Sequence, residues 1–392
     1  MEPTIPFNKP FITGEEARYI LQVIDSGSIA ANGPFTRKCA RLLEDRFGIV
    51  RILMTPSCTA ALEIAVLLCD LAPGDEVIMP SFTFVSAANA VLRAGAIPVF
   101  VDVRSDTLNL DELQIEAAIT PGTKAIMPVH YAGVGCAMDQ IMALAARRGL
   151  RVIEDAAQGV NAFYNGRALG SIGHLGAYSF HDTKNYVCGE GGALCINSQE
   201  MIERAEVIRE KGTNRSQFLR GEVDKYTWVD VGSSFLPSEI ACAFLFAQLE
   251  AIDEITTRRR EVYEFYRRQL SPLEEAGLVR LPVAPEGCEI NYHIFYVLLR
   301  DETTRNDMMA HLKRNGISAV FHYVPLHTSP MGAKLGYHSG DLPATEELSG
   351  RLLRLPVFPE LSSSLQLRVV NCVREFLDQR SESQLAGGRQ LR

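Results

Sequence analysis

Seven short apolar segments, each bounded by turn residues, recur through the first half of the 392-residue chain. They are RILMT (51–55), EVIMP (76–80), IPVFVDV (97–103), KAIMPVH (124–130), RVIED (151–155), GAYSF (176–180) and GALCIN (192–197). Several are apolar throughout, which is typical of strands covered on both faces. Helical segments such as 58–71 and 138–150 lie between many of them. This alternation predicts an α/β fold with a largely parallel sheet and crossover helices.

The pattern changes after about residue 250, where a charged helical segment (249–270) is followed by the strand-like HIFYVLLR (293–300). A chain of this length usually forms more than one hydrophobic core. We therefore expect three parts, namely a large domain over 1–250, a smaller C-terminal α+β domain over 251–380, and a flexible tail over 381–392.

Composition narrows the class of protein. Hydrophobic residues make up 47% of the chain and charged residues 22%, as in globular proteins. The net charge of −8 provides no broad positive field for nucleic acid. The nine cysteines are scattered without metal-ligand spacing, so we expect reduced thiols in a cytosolic protein. No signal peptide and no run of about 18 apolar residues is present, so neither export nor a membrane span is expected.

Ligands of such sheets bind beyond the carboxyl ends of the strands. The first strand is followed by TPSCTAAL, where the free N–H groups of a helix start and the hydroxyl of Ser57 or Thr59 can bind an anion, although taken alone this stretch is better explained as an ordinary helix cap. The second is followed by PSFTFVSAANA, where Phe82 or Phe84 can cover a flat ring or simply join the core.

Two further strand ends carry ionisable groups. The fifth places Asp155 at its end with Gln158 about one turn further on, and a buried carboxylate there requires a cation or a donor unless it caps a helix. The sixth delivers Ser179 and Lys184 to the same edge. A lysine in an apolar crevice has a lowered pKa and a neutral amine suited to Schiff-base chemistry, whereas an exposed loop lysine has neither.

These four strand ends together supply an anion site, an aromatic face, a carboxylate and an amine. Pyridoxal 5′-phosphate (PLP) requires these groups for its phosphate, its ring, its pyridine nitrogen and its aldehyde. The combination predicts a PLP site, because each feature alone has an ordinary structural explanation and the four together do not.

Several motifs resemble those of the DegT/DnrJ/EryC1/StrS sugar aminotransferases, namely SCTAAL, PGDEVIMPSFTFVS, VIEDAAQG, SFHDTKN followed by GEGG, and YVPLH. The similarity extends over nearly the whole chain. It implies the fold type I aspartate aminotransferase architecture, with a mostly parallel seven-stranded sheet in the large domain. It also implies PLP as cofactor, a nucleotide sugar and L-glutamate as substrates, and a homodimer or higher homo-oligomer.

The resemblance also implies roles for individual residues. Lys184 would form the Schiff base with the cofactor, Asp155 would keep the pyridine nitrogen protonated, and Phe84 would stack on the ring. The remaining cofactor contacts would be made by Thr59, Ala60 and Ser179 at the phosphate and by Gln158 near the ring hydroxyl.

Other expected contacts are less specific. Many family members carry an asparagine that reaches the neighbouring subunit's cofactor, whereas the matching run here is GSSFLPSE, in which Ser234 is the expected substitute. The loop KGTNR offers Lys211, Asn214 and Arg215 to the substrate's diphosphate, although such a run is often only a solvated surface. His327 in YVPLH is a candidate substrate contact, and His293 in NYHIFY a weaker one.

Four alternatives remain open from sequence. An aminotransferase of the same family can act on a different sugar or give a different stereochemistry. Family relatives that dehydrate sugars have histidine where Lys184 stands here, and a binding or regulatory protein with this fold would not need Lys184 and Asp155 together. A nicotinamide dehydrogenase is disfavoured because no GxGxxG follows the first strand.

Overall fold

The computed structural model describes residues 3–389. In chain order its strands are β1 (Arg51–Thr55), β2 (Glu76–Pro80), β3 (Ile97–Val101), β4 (Thr123–Ile126), β5 (Arg151–Asp155), β6 (Phe163–Tyr164), β7 (Arg167–Ala168), β8 (Leu175–Ser179), β9 (Gly192–Ile196), β10 (Cys288–Glu289), β11 (Phe295–Leu298) and β12 (Leu352–Leu355).

The α-helices are α1 (Glu16–Ser26), α2 (Pro34–Phe47), α3 (Cys58–Leu68), α4 (Val85–Arg93), α5 (Glu112–Ala118), α6 (Met138–Arg148), α7 (Ile202–Arg209), α8 (Arg215–Leu219), α9 (Glu239–Glu250), α10 (Ile252–Glu275), α11 (Glu302–Arg314), α12 (Pro330–Lys334), α13 (Pro343–Arg351) and α14 (Ser363–Arg389). Short 3-10 turns occupy Tyr131–Gly133, Gln199–Met201 and Leu326–Thr328.

The central sheet has seven strands in the order β1-β9-β8-β5-β4-β2-β3. Each predicted apolar segment overlaps one of them, so the predicted seven-stranded α/β sheet is confirmed. β9 runs antiparallel to both of its neighbours, and the other adjacent pairs are parallel. The sheet is therefore mostly parallel, as expected.

Both faces of this sheet are covered. Along β1, Ile52 and Met54 join one hydrophobic core, whereas Leu53 joins the core on the opposite face. Val152 and Ile153 of β5 divide between the same two cores. Successive strand residues point to opposite faces, so a strand buried on both must be apolar throughout. This explains why the segments lack polar alternation.

A separate core lies in the C-terminal part. The antiparallel strands β11 and β12 and the helices α10, α11 and α14 contribute to it. Ile5, near the start of the chain, packs into this core, and its N–H donates to the Gly316 carbonyl (2.8 Å). The expected boundary at 250/251 coincides with the junction of α9 and α10. The expected tail 381–392 continues α14 as far as Arg389, and residues 390–392 lie outside the described part.

The sheet register brings three strand ends together. Thr55 of β1 and Ser179 of β8 both pair with Gly192 of β9, and Asp155 of β5 pairs with Ala177 of β8. The segments that follow β1, β5 and β8 therefore leave the sheet at one edge, within a few strand spacings of about 4.8 Å.

Candidate active site

A cavity of about 830 Å³ lies at this edge of the sheet. Six of the predicted site residues line it: Thr59, Phe84, Asp155, Gln158, Ser179 and Lys184. Residues from the C-terminal part of the chain complete the wall, among them His293, Tyr323 and Arg354. The structure therefore brings the four chemically distinct strand ends into one space.

The start of α3 forms the anion-binding part of the wall. Ser57 caps this helix, because its hydroxyl accepts the Ala60 N–H (3.1 Å). The N–H groups of Cys58 and Thr59, at the first two helical positions, have no acceptor within the helix, and both residues line the cavity. The Thr59 hydroxyl donates to the Ser86 hydroxyl (2.8 Å). Two N–H groups and the positive end of the helix dipole suit a phosphate.

Gly192 allows this turn to approach the sheet. A Cβ atom at Gly192 would lie 2.4 Å from the Cys58 nitrogen, far inside normal contact distance. The glycine run after Lys184 therefore lets β9 pass directly behind the start of α3. Gly189 allows a tight backbone turn in the same run, since its φ is +81°.

Asp155 is held rigidly at the end of β5 and is only 6% exposed. Its N–H donates to the Pro128 carbonyl (2.9 Å), and its own carbonyl accepts the His130 N–H (3.1 Å). Its carboxylate accepts a hydrogen bond from the Ala157 N–H (3.1 Å). Burial raises the pKa of Asp155, while the Ala157 N–H and the charge of Lys184 oppose that change. This buried carboxylate is suited to a cationic partner in the cavity.

Lys184 follows β8 in a turn closed by its N–H, which donates to the His181 carbonyl (2.9 Å). The side chain is only partly exposed and borders the cavity. Burial lowers the pKa of Lys184, and the nearby groups Cys58 and Asp155 act in the opposite direction. The amine is therefore neutral in a larger fraction of molecules than an exposed lysine would be, which is the form that reacts with aldehydes.

Two aromatic side chains and an amide shape the rest of the wall. Phe84 is 58% exposed, and its ring centroid lies 6.4 Å from that of Tyr323. Gln158 is fixed at both ends, since its Oε1 accepts the Ala132 N–H (2.7 Å) and its Nε2 donates to the Tyr323 hydroxyl (3.1 Å). Tyr323 uses its oxygen to accept this bond, so its own hydroxyl proton remains available to the cavity.

Six predicted contacts do not line the cavity, namely Ala60, Lys211, Asn214, Arg215, Ser234 and His327. The Ala60 N–H is used by Ser57, so Cys58 replaces Ala60 as the candidate phosphate donor. Lys211, Arg215 and Ser234 are exposed. Asn214 closes its own loop, with its Oδ1 accepting the Thr227 N–H (2.7 Å). Within a single chain, therefore, the KGTNR loop and Ser234 are not brought to the predicted cofactor residues.

The structure places the weaker histidine candidate at the cavity and the stronger one away from it. His327 is fully buried, with Nδ1 bonded to the Ser81 hydroxyl (2.7 Å) and Nε2 to a Glu346 carboxylate oxygen (3.0 Å). This geometry disfavours His327 as a substrate contact, because both ring nitrogens already have protein partners, and its role in binding stays a prediction. His293, the weaker candidate, lines the cavity. Burial lowers its pKa well below the ordinary value, so its ring is neutral, and its Nδ1 bonds to the Asn185 amide oxygen (2.9 Å).

We expect His327→Ala to lower the free energy of unfolding by about 1–3 kcal/mol, since it removes the hydrogen bonds of the buried ring to the Ser81 hydroxyl and the Glu346 carboxylate. Urea unfolding measures this change. The Michaelis constants for both substrates should stay within a factor of about two, because no substrate contact is removed. His338→Ala, at an exposed position, is the control. A tenfold rise in either Michaelis constant, with normal stability, would restore His327 as a binding residue.

Tyr323 and Arg354 are among the cavity residues that the sequence analysis did not assign. Tyr323 is the first residue of the recognised motif YVPLH, so its position in the chain was informative. Arg354 interrupts the otherwise apolar LLRLPVF, and a lone cation in a buried strand was the available signal.

The chemistry available in this cavity is that of a PLP-dependent transferase, because PLP requires an amine for its aldehyde, a carboxylate for its ring nitrogen and N–H donors for its phosphate. The chain belongs to the DegT/DnrJ/EryC1/StrS aminotransferase family, whose model matches residues 10–374. The protein is thus a sugar aminotransferase that uses PLP, and the family excludes a nicotinamide dehydrogenase.

Two relatives extend over most of the chain. A pleiotropic regulatory protein of Geobacillus stearothermophilus is 39% identical over 318 residues, which cover 81% of this chain and 82% of the relative. The spore coat polysaccharide biosynthesis protein SpsC of Bacillus subtilis (strain 168) is 34% identical over 382 residues, which cover 95% and 97%.

Solved structures agree with the fold. The aminotransferase TlmJ of Streptoalloteichus hindustanus has a TM-score of 0.88 and 31% identity, with 96% of this chain and all of that chain covered. The sugar aminotransferase Spr1654 of Streptococcus pneumoniae, solved in a PLP form, has a TM-score of 0.88 at 24% identity, with 96% and 99% covered. None of the described helices has the length and apolar character needed to span a membrane.

Proposed function

We propose that this enzyme transfers the amino group of L-glutamate to C4 of dTDP-4-keto-6-deoxyglucose, giving dTDP-4-amino-4,6-dideoxygalactose and 2-oxoglutarate. The product would serve a cell-surface polysaccharide of the enterobacterial common antigen type. The proposal is supported most directly by one observation, that Lys184 and Asp155 line the same cavity in a member of a sugar aminotransferase family. Resemblance of VHYAGVGC, IREKGTNRSQF and VDKYTWVDVGSS to dTDP-4-amino-4,6-dideoxygalactose transaminase supports the particular sugar.

The cavity residues fit PLP. When bound, PLP supplies an aldehyde that condenses with amines and a protonated ring that withdraws electrons from the adjacent carbon. We assign its phosphate to the free N–H groups of Cys58 and Thr59 and to the Ser179 hydroxyl. This assignment follows from the chemistry of the available groups. The helix start can bind an anion such as the phosphate, and Asp155 is the carboxylate available to a protonated ring nitrogen.

Lys184 has two tasks in this proposal. Its amine holds the aldehyde between turnovers, and once freed it removes a proton from the α-carbon of the amino donor. Burial favours the neutral amine, which is the form that can accept that proton at Nζ. Asp155 keeps a proton on the ring nitrogen by a charge-assisted hydrogen bond. Phe84 and Tyr323 contribute aromatic rings to the wall of the same cavity.

We further propose that Lys211, Asn214, Arg215 and Ser234 serve the cavity of a second copy in a homodimer. They lie in or beside a segment with several exposed apolar side chains, including Leu219 (65% exposed), Trp228 (77%) and Val231 (64%). An apolar surface of this kind is suited to burial against a partner. Analytical ultracentrifugation tests the association, and a monomer at assay concentrations would overturn this assignment.

The test of function uses purified protein with PLP, L-glutamate and dTDP-4-keto-6-deoxyglucose. We expect 2-oxoglutarate and amino sugar to form in equal amounts, with the galacto configuration at C4 established by NMR coupling constants. UDP- and GDP-linked 4-keto sugars are the matched comparisons. A gluco product or preference for another nucleotide would change the substrate assignment. If every nucleotide sugar failed despite bound PLP, a regulatory or binding protein with this fold would be favoured.

A further inference from the structure

His130 is a fully buried side chain that the proposed mechanism does not use, and it does not line the cavity. Its backbone lies next to the cavity carboxylate, because its N–H donates to the Asp155 carbonyl (3.1 Å). Its ring Nδ1 accepts the Cys136 N–H (3.1 Å), so Nε2 is the nitrogen that donates to a Glu154 carboxylate oxygen (2.8 Å). The ring therefore connects β5 to the loop 130–136.

The two hydrogen bonds of this ring differ in what they control. Three backbone N–H groups also hold the Glu154 carboxylate, namely those of Gly170 (2.9 Å), Ile172 (2.7 Å) and Gly173 (2.6 Å). The bond from Cys136 instead joins the last residue of the loop 130–136 to its first. We therefore expect Nδ1 of His130 to determine the shape of this loop.

The loop contains a backbone conformation that alanine rarely adopts. Ala132 is buried and has a φ of +57°, in the left-handed region that favours glycine. Such a conformation persists where the surrounding structure imposes it, and it is common at functional sites. Asn109 supports the turn, because its Oδ1 accepts the Tyr131 N–H (2.9 Å) and its Nδ2 donates to the Val134 carbonyl (3.0 Å). His130 and Asn109 together therefore maintain the strained turn.

This turn decides which way the Gln158 amide faces. The Ala132 N–H points at Oε1 of Gln158 (2.7 Å), so Nε2 faces the other way and donates to the Tyr323 hydroxyl (3.1 Å). The amide nitrogen has two N–H groups, and the second remains available to a ligand in the cavity. A reversed amide would present an oxygen acceptor there instead.

We propose that His130 is a positioning residue that makes Gln158 a hydrogen-bond donor to the cavity. It does so by holding the turn Tyr131–Gly133, whose Ala132 N–H orients the amide. The inference rests on the proposed contact between Gln158 and the ring hydroxyl of PLP. It gives a function to a buried histidine that makes no contact with the cavity itself.

Two substitutions separate the two bonds of the ring. His130→Asn keeps an oxygen where Nδ1 accepts the Cys136 N–H and removes the donor to Glu154, whereas His130→Gln keeps that donor and removes the acceptor. Each loses one buried hydrogen bond, so urea unfolding should show similar losses of stability. The dissociation constant of PLP, from absorbance titration, should rise about 3–10-fold in His130→Gln and less than twofold in His130→Asn. His338→Gln, at an exposed position, is the control.

Hydrogen exchange in the cofactor-free proteins gives a readout that does not depend on activity. The Ala132 N–H is buried and hydrogen-bonded, so it should exchange slowly in wild type and in His130→Asn. It should exchange at least about tenfold faster in His130→Gln, as measured by mass spectrometry of peptides that contain the loop 130–136. Glycine adopts the left-handed region readily, so adding Ala132→Gly to His130→Gln should recover part of the PLP affinity.

A double-mutant cycle with Gln158→Met tests whether His130 acts through Gln158. If it does, adding His130→Gln to Gln158→Met should weaken PLP binding less than twofold further. Additive penalties would overturn the inference, and so would equal PLP affinities in His130→Asn and His130→Gln. If His130→Gln does not fold, Asn109→Ala loosens the same turn and takes its place in the cycle. None of these measurements uses a nucleotide sugar, so failure of the proposed function would leave them unchanged and would appear as a wild-type enzyme that forms no 2-oxoglutarate.

Discussion

Lys184→Ala is expected to reduce transamination about 10³–10⁴-fold and to abolish borohydride fixation of the cofactor to the protein. The side chain supplies both the amine that holds the aldehyde and the base that removes the donor proton. Alanine removes both functions without adding bulk to the cavity wall. Single-turnover absorbance measurements with L-glutamate give the rate, and mass spectrometry after borohydride treatment detects the covalent adduct.

The control for this variant is Lys313→Ala, which removes an exposed lysine from α11 and should change neither readout. Added methylamine is expected to restore part of the proton transfer in Lys184→Ala, because it can enter the cavity volume left by the side chain. A borohydride-reducible adduct that survived in Lys184→Ala would show that another lysine carries the cofactor, and the assignment would be withdrawn.

The central part of the site was predictable because it is local. Asp155 and Ser179 end the apolar strands β5 and β8, Lys184 lies in the turn after β8, and the parallel sheet requires such ends to meet at one edge. Fold class followed from the same segments, since strands buried on both faces leave a continuous apolar run. No long-range packing had to be known for either conclusion.

Local sequence reasoning does not distinguish Glu154 from Asp155. Both follow the same apolar run, yet strand alternation sends them to opposite faces. Glu154 is fully buried and accepts the N–H groups of Gly170 (2.9 Å) and Ile172 (2.7 Å), so it stabilises a turn away from the cavity. Only the register of β5 against its neighbours decides that Asp155 is the cavity carboxylate.

Residues supplied by the C-terminal part of the chain could not be derived in the same way. Arg354 and His293 reach the cavity because β11 and β12 pack with α10 and with the start of the chain, and the contact with the start of the chain joins residues that are hundreds of positions apart. His327 belongs to a recognised motif, but Ser81 and Glu346 satisfy it inside the protein. A motif indicates that a position matters, whereas packing decides whether it is a ligand contact or an internal support.

Asp155→Asn should slow transamination about 10–150-fold, which corresponds to losing about 1.5–3 kcal/mol of charge-assisted hydrogen bonding. Asparagine keeps the size of the side chain, so PLP should still bind through its phosphate and through Lys184. The loss should therefore appear in the rate of amino transfer more than in cofactor retention, which absorbance titration with PLP measures. Asp45→Asn, on the exposed surface of α2, is the control. Full activity in Asp155→Asn would show that another group keeps the ring nitrogen protonated.

The same substitution should stabilise the cofactor-free protein at neutral pH. Burial raises the folded-state pKa of Asp155 above its unfolded value, so the native state binds more protons in the interval between the two pKa values. The contribution of this group to stability is therefore present below the unfolded pKa, near 3.9, and is lost as pH rises through the folded pKa. Above that interval the ionised carboxylate destabilises the fold, whereas the neutral amide of the variant does not.

Urea unfolding of the cofactor-free proteins should show the variant more stable at pH 7, with a difference that shrinks as pH falls. A variant less stable than wild type at pH 7 would mean that the pairing of Asp155 with Lys184 outweighs the cost of burying it, and the carboxylate would then support the fold as well as the chemistry.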